Sequence, residues 1–238
     1  MVSIKYFAID IDGTLTENGG GIIHLPALAA LRYLENLGYK IIYVTGRSSE
    51  EAYIIASFGG TTRLSVGENG GAVMLAPRQH ILLANKSNCE RGYEVLRQKI
   101  DGVDIKPVFD RHTEVVLFRT FDITRGQELF ERYNLNLRLV DSLYAYHINE
   151  KGINKGTGLV EALRILGGRL DQTVAIGDSE TDVPLFEMCG FSVALGQAAD
   201  NVKAVAKYVV EGKQGRGLIQ ALNLITYKHL GLRLKNDV

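Results

Sequence analysis

The sequence predicts an α/β fold, namely a Rossmann-like parallel sheet core with a small α+β domain inserted into it. Mostly apolar runs such as 4–9 and 40–44 are typical of strands that are buried on both faces of a parallel sheet. Segments with helical spacing of apolar residues follow these runs. The strand–helix rhythm stops near residue 79 and returns near residue 151, which indicates an insertion in a discontinuous core.

The first part of the core is predicted to contain three strands and two helices. In chain order these are a strand at 4–9, a helix between 26 and 37, a strand at 40–44, a helix from 48 to about 58, and a strand at 64–66. Pro26 suits the first turn of the first helix, and Gly38 suits its end. Ser48 and Glu51 have the spacing of a capping box for the second helix. This order predicts parallel strands joined by right-handed crossovers.

Residues 79–150 have a different pattern and are predicted to form a separate α+β domain. The predicted elements are helical spacing at 93–100, a strand at 114–119, a helix at about 125–133, and strands at 137–140 and 144–148. Three residues separate the last two strands, which predicts a hairpin. The core is then residues 1–78 together with 151–238.

Strand–helix alternation resumes after residue 150. The predicted elements are a helix from 155, a strand at 173–176, a helix at 183–188, a strand at 191–195, a helix at 199–206, a strand at 208–210 and a helix at 217–230. The glycine run at 19–21 predicts a flexible loop just beyond the first strand. A ligand site of an α/β sheet would open at that place.

The composition argues against several classes of protein. Lys and Arg together number 27, as do Asp and Glu, so we expect no broad electrostatic surface for nucleic acid or for an anionic membrane. No apolar run approaches the ~18 residues of a membrane span, and the N-terminus lacks the pattern of a secretory signal. Cys89 and Cys189 lie far apart in sequence, so we expect no disulfide framework and a cytoplasmic location.

Polar clusters follow three of the predicted strands. They are Asp10 with Asp12, Thr45, and Asp178 with Asp182. Ligands of open α/β sheets bind beyond the carboxyl ends of the strands, so we expect these clusters to converge. Asp also ends strands simply as a turn former, but that explanation is poor for three strand ends that coincide with a lysine, Lys155.

Four carboxylates in one cleft would repel one another strongly, since charges ~4 Å apart interact by about 4 kcal/mol at an effective dielectric constant of 20. A divalent cation removes most of that repulsion. A set of oxygen ligands without paired His or Cys favours Mg²⁺ over Zn²⁺. Lys155 and the Thr45 hydroxyl are donors that suit phosphoryl oxygens. Backbone N–H groups near Gly13 and Gly46 could form a nest that approaches an anion closely.

Four segments carry a resemblance to a known family. They are Asp10-Ile11-Asp12-Gly13-Thr14-Leu15-Thr16, Thr45 after its apolar strand, Lys155 at a helix start, and Gly177-Asp178-Ser179-Glu180-Thr181-Asp182. In this order they resemble the four motifs of the haloacid dehalogenase superfamily phosphatases. The insertion resembles the type-2 cap of the Cof-like branch, as do the segments Val44-Thr45-Gly46-Arg47 and Glu68-Asn69-Gly70-Gly71. The length and compact cap are most similar to the archaeal phosphoglycolate phosphatases.

The resemblance implies a role for each motif. Asp10 is implied as the nucleophile that takes the phosphoryl group, and Asp12 as the acid and base that protonates the leaving alkoxide and then activates water. Thr45, Gly46 and Lys155 are implied to hold the phosphoryl group. The implied ligands of Mg²⁺ are Asp10, Asp12 through its backbone carbonyl, Asp178 and Asp182.

The implied function is that of a Mg²⁺-dependent phosphomonoesterase acting on a small soluble metabolite, with 2-phosphoglycolate as the expected substrate. A sugar phosphate is the alternative substrate. A non-enzymatic phospho-acceptor similar to a receiver module is the alternative class. The acid/base position of Asp12 and the inserted cap both argue against a receiver.

Several residues have two interpretations at this stage. Arg47 either pairs with a substrate carboxylate or caps the helix that begins near Ser48. The basic cap residues with the same ambiguity are Lys86, Arg91 and Arg111, for which ordinary solvated charge is the simpler expectation. His147 is expected to be structural rather than to face the substrate. The sequence does not decide the oligomeric state, and a homo-oligomer is compatible with it.

Overall fold

Strands and helices alternate along most of the chain, and the computed structural model describes residues 3–17 and 21–232. In chain order the strands are β1 (Tyr6–Ile9), β2 (Thr16–Glu17), β3 (Ile22–Ile23), β4 (Lys40–Val44), β5 (Ser65–Gly67), β6 (Ala72–Ala76), β7 (Gln79–Leu82), β8 (Val115–Leu117), β9 (Leu137–Asp141), β10 (Tyr146–Glu150), β11 (Thr173–Gly177), β12 (Phe191–Ala194) and β13 (Tyr208–Val209). The α-helices are α1 (Leu25–Asn36), α2 (Ser49–Gly59), α3 (Lys86–Lys99), α4 (Ile123–Arg132), α5 (Lys155–Leu166), α6 (Val183–Met188), α7 (Asp200–Val205) and α8 (Gln214–Ile225). The predicted α/β fold class is confirmed.

The main sheet joins strands from both ends of the chain. Their order across the sheet is β13-β12-β11-β1-β4-β5-β6-β7, and the first six are parallel. In the centre, Tyr6 of β1 lies opposite Thr173 of β11 on one side and Lys40 of β4 on the other. The strand order reverses at β1, so the loops that follow β1, β4 and β11 open onto one cleft.

All four residues of β1 are buried because helices cover both faces of the sheet. Phe7 and Ile9 pack in one apolar cluster with residues of α1 and α8. Tyr6 and Ala8 pack in a second cluster with residues of α5 and α6. Successive side chains of a strand point to opposite faces, so a doubly covered strand needs the uninterrupted apolar run seen in the sequence.

The predicted core elements are present, with differences mainly at their ends. The capping box of α2 forms, since Ser48 Oγ accepts the Glu51 N–H at 3.1 Å and Glu51 accepts the Ser48 N–H at 3.0 Å. The last helix differs most from the prediction. It begins at Gln214 rather than near 217, and Thr226–Leu230 form a π-helical turn.

Two strands that the sequence pattern did not predict extend the main sheet. β6 and β7 form an antiparallel hairpin beside β5, with Arg78 of the turn at a φ of +65°. Gln79 of β7 pairs with Ala76 of β6, so the first residues of the predicted insertion are hydrogen-bonded into the main sheet. We therefore propose that the inserted domain spans 83–150, a slightly later start than the predicted 79.

The insertion has an apolar core of its own. β8, β10 and β9 form a three-stranded antiparallel sheet, in which β9 and β10 are the predicted hairpin. Leu96 of α3 and Phe130 of α4 are fully buried with Ile148 of β10. The packing of two helices on one small sheet gives the expected α+β character.

The chain leaves β1 through a short antiparallel hairpin formed by β2 and β3, in which Thr16 pairs with Ile23. Of the glycine run expected to form a flexible loop here, Gly19 and Gly20 lie outside the described residues. Gly21 has a φ of +78°, a left-handed conformation that glycine adopts with little strain.

Two expectations from composition can be compared with the structure. Cys89 and Cys189 are free and buried, so no disulfide joins them. Within residues 3–17 and 21–232, none of the helices combines the length and apolar character that a bilayer span requires.

Gly70 sets how closely the loop after β5 approaches the start of α5. Its φ is +101°, and a Cβ there would collide with the Asn154 carbonyl group. Gly152 is a matched control, because its φ is +90° but an added Cβ would meet nothing within 4 Å. We expect the left-handed conformation alone to lower the free energy of unfolding by about 1–2 kcal/mol in Gly152→Ala. Gly70→Ala should lose about 1–3 kcal/mol more, because of the collision. Equal losses in urea denaturation would contradict this close approach.

Candidate active site

Three loops at the carboxyl ends of neighbouring parallel strands form the candidate site. Asp10 follows β1, Thr45 follows β4 and Asp178 follows β11, and these strands are adjacent in the sheet. Lys155 enters from the start of α5. The structure therefore brings the predicted polar clusters to one edge of the sheet, while their chemical roles stay predictions.

Lys155 joins two carboxylates in the buried floor of the site. Its Nζ donates to Asp10 Oδ1 and to Asp182 Oδ1, each at 2.7 Å. Solvent exposure is 2% for Lys155, 3% for Asp10 and 0% for Asp182. Because a buried charge is tolerated only when it is paired, each member of this cluster requires the others.

The charges in this cluster shift the pKa values of its members. Burial raises the pKa of Asp10 well above its ordinary value; Lys155 opposes the rise, and the charges of Asp182 and Asp178 add to it. Burial lowers the pKa of Lys155, but the charges and hydrogen bonds of Asp10 and Asp182 outweigh burial and hold it above its usual range. Lys155 is therefore the charged partner, and one lysine does not balance all the aspartates.

Local sequence explains the position of Lys155. Asn154 Oδ1 accepts the Thr157 N–H at 3.0 Å, and Thr157 Oγ1 accepts the Asn154 N–H at 3.0 Å, which caps α5. Gly158, one turn into the helix, lies so close to Gly70 that a side chain would collide with it. The cap fixes the first turn and the glycine permits close packing, so Lys155 reaches the ends of β1 and β11.

The segment after β11 folds back on itself through Asp182. Asp182 Oδ2 accepts the backbone N–H groups of Asp178 and Ser179 at 3.1 and 3.0 Å. Its Oδ1 accepts from Lys155, so both oxygens have partners and the turn is fixed together with the lysine. A Cβ on Gly177 would collide with Asp182, so this turn requires glycine.

Asp178 is held by side chains from two other loops. Thr14 Oγ1 donates to its Oδ1 at 3.2 Å, and Gln197 Nε2 donates to its Oδ2 at 2.9 Å. Gln197 Nε2 also donates to the Gly13 carbonyl at 2.6 Å. Burial and the charge of Asp182 raise the pKa of Asp178 from 3.8 to about 6, against the effect of the Gln197 hydrogen bond. Sequence reasoning missed Gln197, because no local signal distinguishes it from an ordinary loop residue.

The side chain of Asp12 is bound to an arginine rather than to the lysine. Arg47 donates from Nε and Nη2 to the two Asp12 oxygens, both at 2.7 Å, and from Nη1 to Glu51 at 2.8 Å. The hydrogen bond with Asp12 raises the pKa of Arg47, against the effect of burial. Arg47 therefore connects the loop after β1 to the first turn of α2.

The loop after β4 contacts the inserted domain. Thr45 is fully buried, and its Oγ1 accepts the Arg47 N–H at 3.1 Å. The Gly46 carbonyl accepts from Arg111 Nη1 at 3.3 Å. The Arg111 side chain is only 8% exposed, so the expectation of an ordinary solvated charge is wrong for this residue.

Two buried glutamates connect the core to the inserted domain. Glu68 Oε2 accepts the backbone N–H and the hydroxyl of Thr113, both at 2.7 Å. Glu114 Oε2 accepts from Asn69 Nδ2 at 3.3 Å and lies 3.0 Å from His147 Nδ1. The other ring nitrogen of His147 is also engaged within the inserted domain, which supports its structural interpretation. This network fixes the loop that carries Arg111.

The aspartates provide an all-oxygen site that fits a divalent cation. One carboxylate oxygen from each of Asp10, Asp178 and Asp182 can be chosen so that all three lie within 4.8 Å of one another. Oxygen ligands suit Mg²⁺. Burial, together with the charges of neighbouring aspartates, raises the pKa values of Asp10 and Asp178, and a bound cation would favour their charged forms. The Asp12 side chain is outside this group.

Comparisons with known proteins agree with this geometry. The model of the haloacid dehalogenase-like hydrolase family matches residues 7–99 and 126–222. A curated phosphoglycolate phosphatase of Nitrosopumilus maritimus (strain SCM1) is 50% identical over 219 residues, which are 92% of this chain and 95% of that protein. A phosphoglycolate phosphatase of Methanosarcina acetivorans is 32% identical over 226 residues, covering 94% of this chain and 97% of that protein.

A solved structure shares the fold. A crystal structure from Thermoplasma acidophilum has a TM-score of 0.84 at 21% identity, and the match covers 94% of this chain and 98% of that chain. At this identity the similarity establishes the architecture of core and insertion. It does not extend to substrate.

The raised pKa of Asp178 predicts how stability depends on pH in the absence of metal. The folded protein binds the Asp178 proton more tightly than the unfolded chain does, so protonation of Asp178 stabilises the fold. This stabilisation is complete below pH 3.8 and is lost as the pH rises through about 6. We expect Asp178→Asn in EDTA to be more stable than the unaltered protein at pH 7, by up to about 3 kcal/mol. The difference should shrink toward pH 4.5. Thermal unfolding across this range measures it, and a difference independent of pH would contradict the assignment.

Proposed function

Because this chain belongs to the haloacid dehalogenase-like hydrolases and is a phosphomonoester hydrolase, we propose that it converts 2-phosphoglycolate to glycolate and inorganic phosphate with Mg²⁺ as its cofactor. The observation that carries the proposal is the buried Asp10–Lys155–Asp182 cluster at the strand ends. The chain that carries this cluster is 50% identical to a curated phosphoglycolate phosphatase, and the match covers 92% of this chain.

Asp10 is the proposed nucleophile. One of its oxygens attacks phosphorus, the bond between phosphorus and the glycolate oxygen breaks, and an aspartyl-phosphate forms. Water then attacks the same phosphorus, and the Asp10 carboxylate leaves with the electron pair of the phosphorus–oxygen bond. Lys155, with Nζ 2.7 Å from Asp10 Oδ1, would stabilise the negative charge that concentrates on the transferring group.

Asp12 is the proposed acid and base of the reaction. It gives a proton to the departing glycolate oxygen and takes one from the attacking water. Both Asp12 oxygens accept hydrogen bonds from Arg47, so one of these bonds gives way when the leaving oxygen reaches Asp12. Arg47 keeps its second partner, Glu51, throughout.

The remaining residues orient the phosphoryl group. The Thr45 hydroxyl and the Gly46 N–H would donate to its oxygens from the end of β4. Asp10, Asp178 and Asp182, with the Asp12 backbone carbonyl, would hold Mg²⁺, which when bound supplies positive charge to the phosphoryl oxygens.

Arg111 is the proposed partner of the substrate carboxylate. Arg47 already forms two ion pairs, with Asp12 and Glu51. Arg111 reaches from the inserted domain to the Gly46 carbonyl, beside the phosphoryl site. Its buried Nε forms no hydrogen bond with any residue that the structure describes, although Glu114 Oε1 lies 3.6 Å away. A planar guanidinium suits a carboxylate because its N–H donors lie side by side.

Asp10→Asn should abolish turnover, because a neutral amide cannot form the acyl phosphate. Asp12→Asn should lower kcat by a factor of about 10² to 10⁴, since it removes the proton transfer. Lys155 keeps its hydrogen bond with Asp182 in Asp10→Asn, so the variant should stay folded, which circular dichroism checks. Phosphate release from 2-phosphoglycolate measures activity, and substantial turnover by purified Asp10→Asn would refute the mechanism.

Arg111→Met should lower kcat/KM for 2-phosphoglycolate by about 10- to 100-fold, because a charge-assisted hydrogen bond to the carboxylate is lost. p-Nitrophenyl phosphate has no carboxylate, so its hydrolysis should change little. Arg91→Met is the matched control, since Arg91 is an exposed arginine of the same domain. Equal losses on both substrates would indicate that Arg111 is structural.

A substrate panel tests the proposal as a whole. Phosphate release is measured for 2-phosphoglycolate and for a set of sugar phosphates, each with Mg²⁺ and with EDTA. Preference for 2-phosphoglycolate that depends on Mg²⁺ supports the proposal. Preference for a sugar phosphate would favour the alternative substrate, and full activity in EDTA would exclude the proposed role of the aspartates.

A further inference from the structure

A second cluster of metal-ligating side chains lies at the seam between the core and the inserted domain. It consists of Glu50 in the first turn of α2, His80 in β7 and His112 in the loop before β8. One ligand atom from each can be chosen so that all three lie within 4.8 Å of one another. The proposed phosphatase reaction uses none of these residues.

Both imidazoles face the same carboxylate oxygen. Glu50 Oε1 lies 3.0 Å from His80 Nε2 and 2.5 Å from His112 Nε2. The two imidazole rings lie with their centroids 4.5 Å apart and their planes tilted by 39°. The three ligand atoms therefore converge from three separate segments of the chain.

Among the described residues, one of the three candidate ligand atoms lacks a hydrogen bond. His80 Nε2 is buried, and its contact with Glu50 Oε1 at 3.0 Å lacks the alignment of a hydrogen bond; within the described part of the chain it forms no other hydrogen bond. A buried polar atom without a well-aligned hydrogen bond is unfavourable and calls for an explanation, such as an ion. A cation among the three atoms would give each of them a partner at once.

We propose that Glu50, His80 and His112 bind a divalent transition-metal ion of the Zn²⁺ class. Two imidazoles and one carboxylate form a ligand set that suits Zn²⁺, with a fourth position open to water. Ligand atoms ~2.0–2.1 Å from a tetrahedral Zn²⁺ are about 3.3 Å from one another. Glu50 Oε1 now lies 3.0 Å from His80 Nε2 and 2.5 Å from His112 Nε2, so small side-chain rotations would bring the three atoms to this spacing.

This site differs from the aspartate cluster in its ligand atoms. The aspartates provide only oxygen ligands, which prefer Mg²⁺, whereas this site combines two imidazole nitrogens with one carboxylate oxygen. The side chains of Glu50, His80 and His112 are 33%, 14% and 34% exposed, so an ion can enter from solvent. Two of the ligands are held in place. Glu50 Oε2 accepts from Ser49 Oγ at 3.3 Å, and the backbone N–H of His112 donates to Glu68 Oε2 at 2.9 Å, which fixes the loop that carries this histidine.

A bound ion would link the inserted domain to the core through its ligands. Glu50 and His80 lie in the core, whereas His112 lies in the insertion next to Arg111. Zn²⁺ should therefore raise the melting temperature of the protein, because an ion that binds only the folded chain stabilises it. This inference does not rest on the proposed substrate.

Calorimetric titration with ZnCl₂ tests the proposal. The full-length, tag-free protein is first stripped of metal with EDTA, and excess MgCl₂ is then added to occupy the aspartate cluster. We expect one Zn²⁺ per chain and a visible absorption band of four-coordinate geometry when Co²⁺ replaces it. His80→Asn and His112→Asn should each weaken Zn²⁺ binding at least about tenfold. Glu50→Gln should weaken it as well, and it changes no histidine packing.

Matched controls separate this site from the rest of the protein. His229→Asn removes a histidine that contacts Tyr208 at the opposite edge of the main sheet, and Asp178→Asn alters the aspartate cluster. Both should bind Zn²⁺ like the unaltered protein. Circular dichroism and Mg²⁺-dependent hydrolysis of p-nitrophenyl phosphate check that each seam variant is folded. Absence of stoichiometric binding, or binding weakened by Asp178→Asn and not by the histidine variants, would overturn the proposal.

Discussion

The pairing of Lys155 with Asp10 and Asp182 is the interaction on which the candidate site depends. Two hydrogen bonds of 2.7 Å join the start of α5 to the loops after β1 and β11. Removing one member of such a buried ionic cluster typically costs about 3–5 kcal/mol, because an uncompensated charge is left behind. The same contacts that would handle a phosphoryl group therefore also hold three elements of the core together. The surplus of negative charge around a single lysine makes the cluster suited to binding a cation.

The seam between core and insertion is polar where the two parts meet beside the site. Glu68 and Glu114 are fully buried there, and the charges of His147 and Arg111 hold the pKa of Glu114 below its ordinary value against the effect of burial. Such contacts are directional, so they fix the position of the insertion more narrowly than apolar packing would. Arg111 is aimed at the Gly46 carbonyl as a consequence. The position of Arg111, the proposed partner of the substrate carboxylate, thus depends on hydrogen bonds that lie outside the four motifs.

Much of the core fold follows from local sequence. The apolar run in β1, the capping box at Ser48 and the strand–helix alternation each depend on neighbours in the chain, and each is found in the structure. The hairpin of β6 and β7 was missed. One of its strands lies at the edge of the sheet, and the hairpin joins the sheet through the pairing of β6 with β5. Register and edge pairing are tertiary properties, so periodicity alone gives a weak signal for them.

The same division applies to the candidate site. Strand ends and motif spacing place Asp10, Thr45 and Asp178 at one edge of the sheet from sequence alone, because parallel strands present their carboxyl ends together. The partners of these residues come from far away in the chain. Gln197 donates to the Gly13 carbonyl across 184 positions, and Arg111 to the Gly46 carbonyl across 65. No local pattern encodes such contacts, since they exist only after the sheet has formed and the insertion has docked on it. Sequence thus identified the residues suited to the chemistry, and the tertiary structure decided which partners hold and orient them.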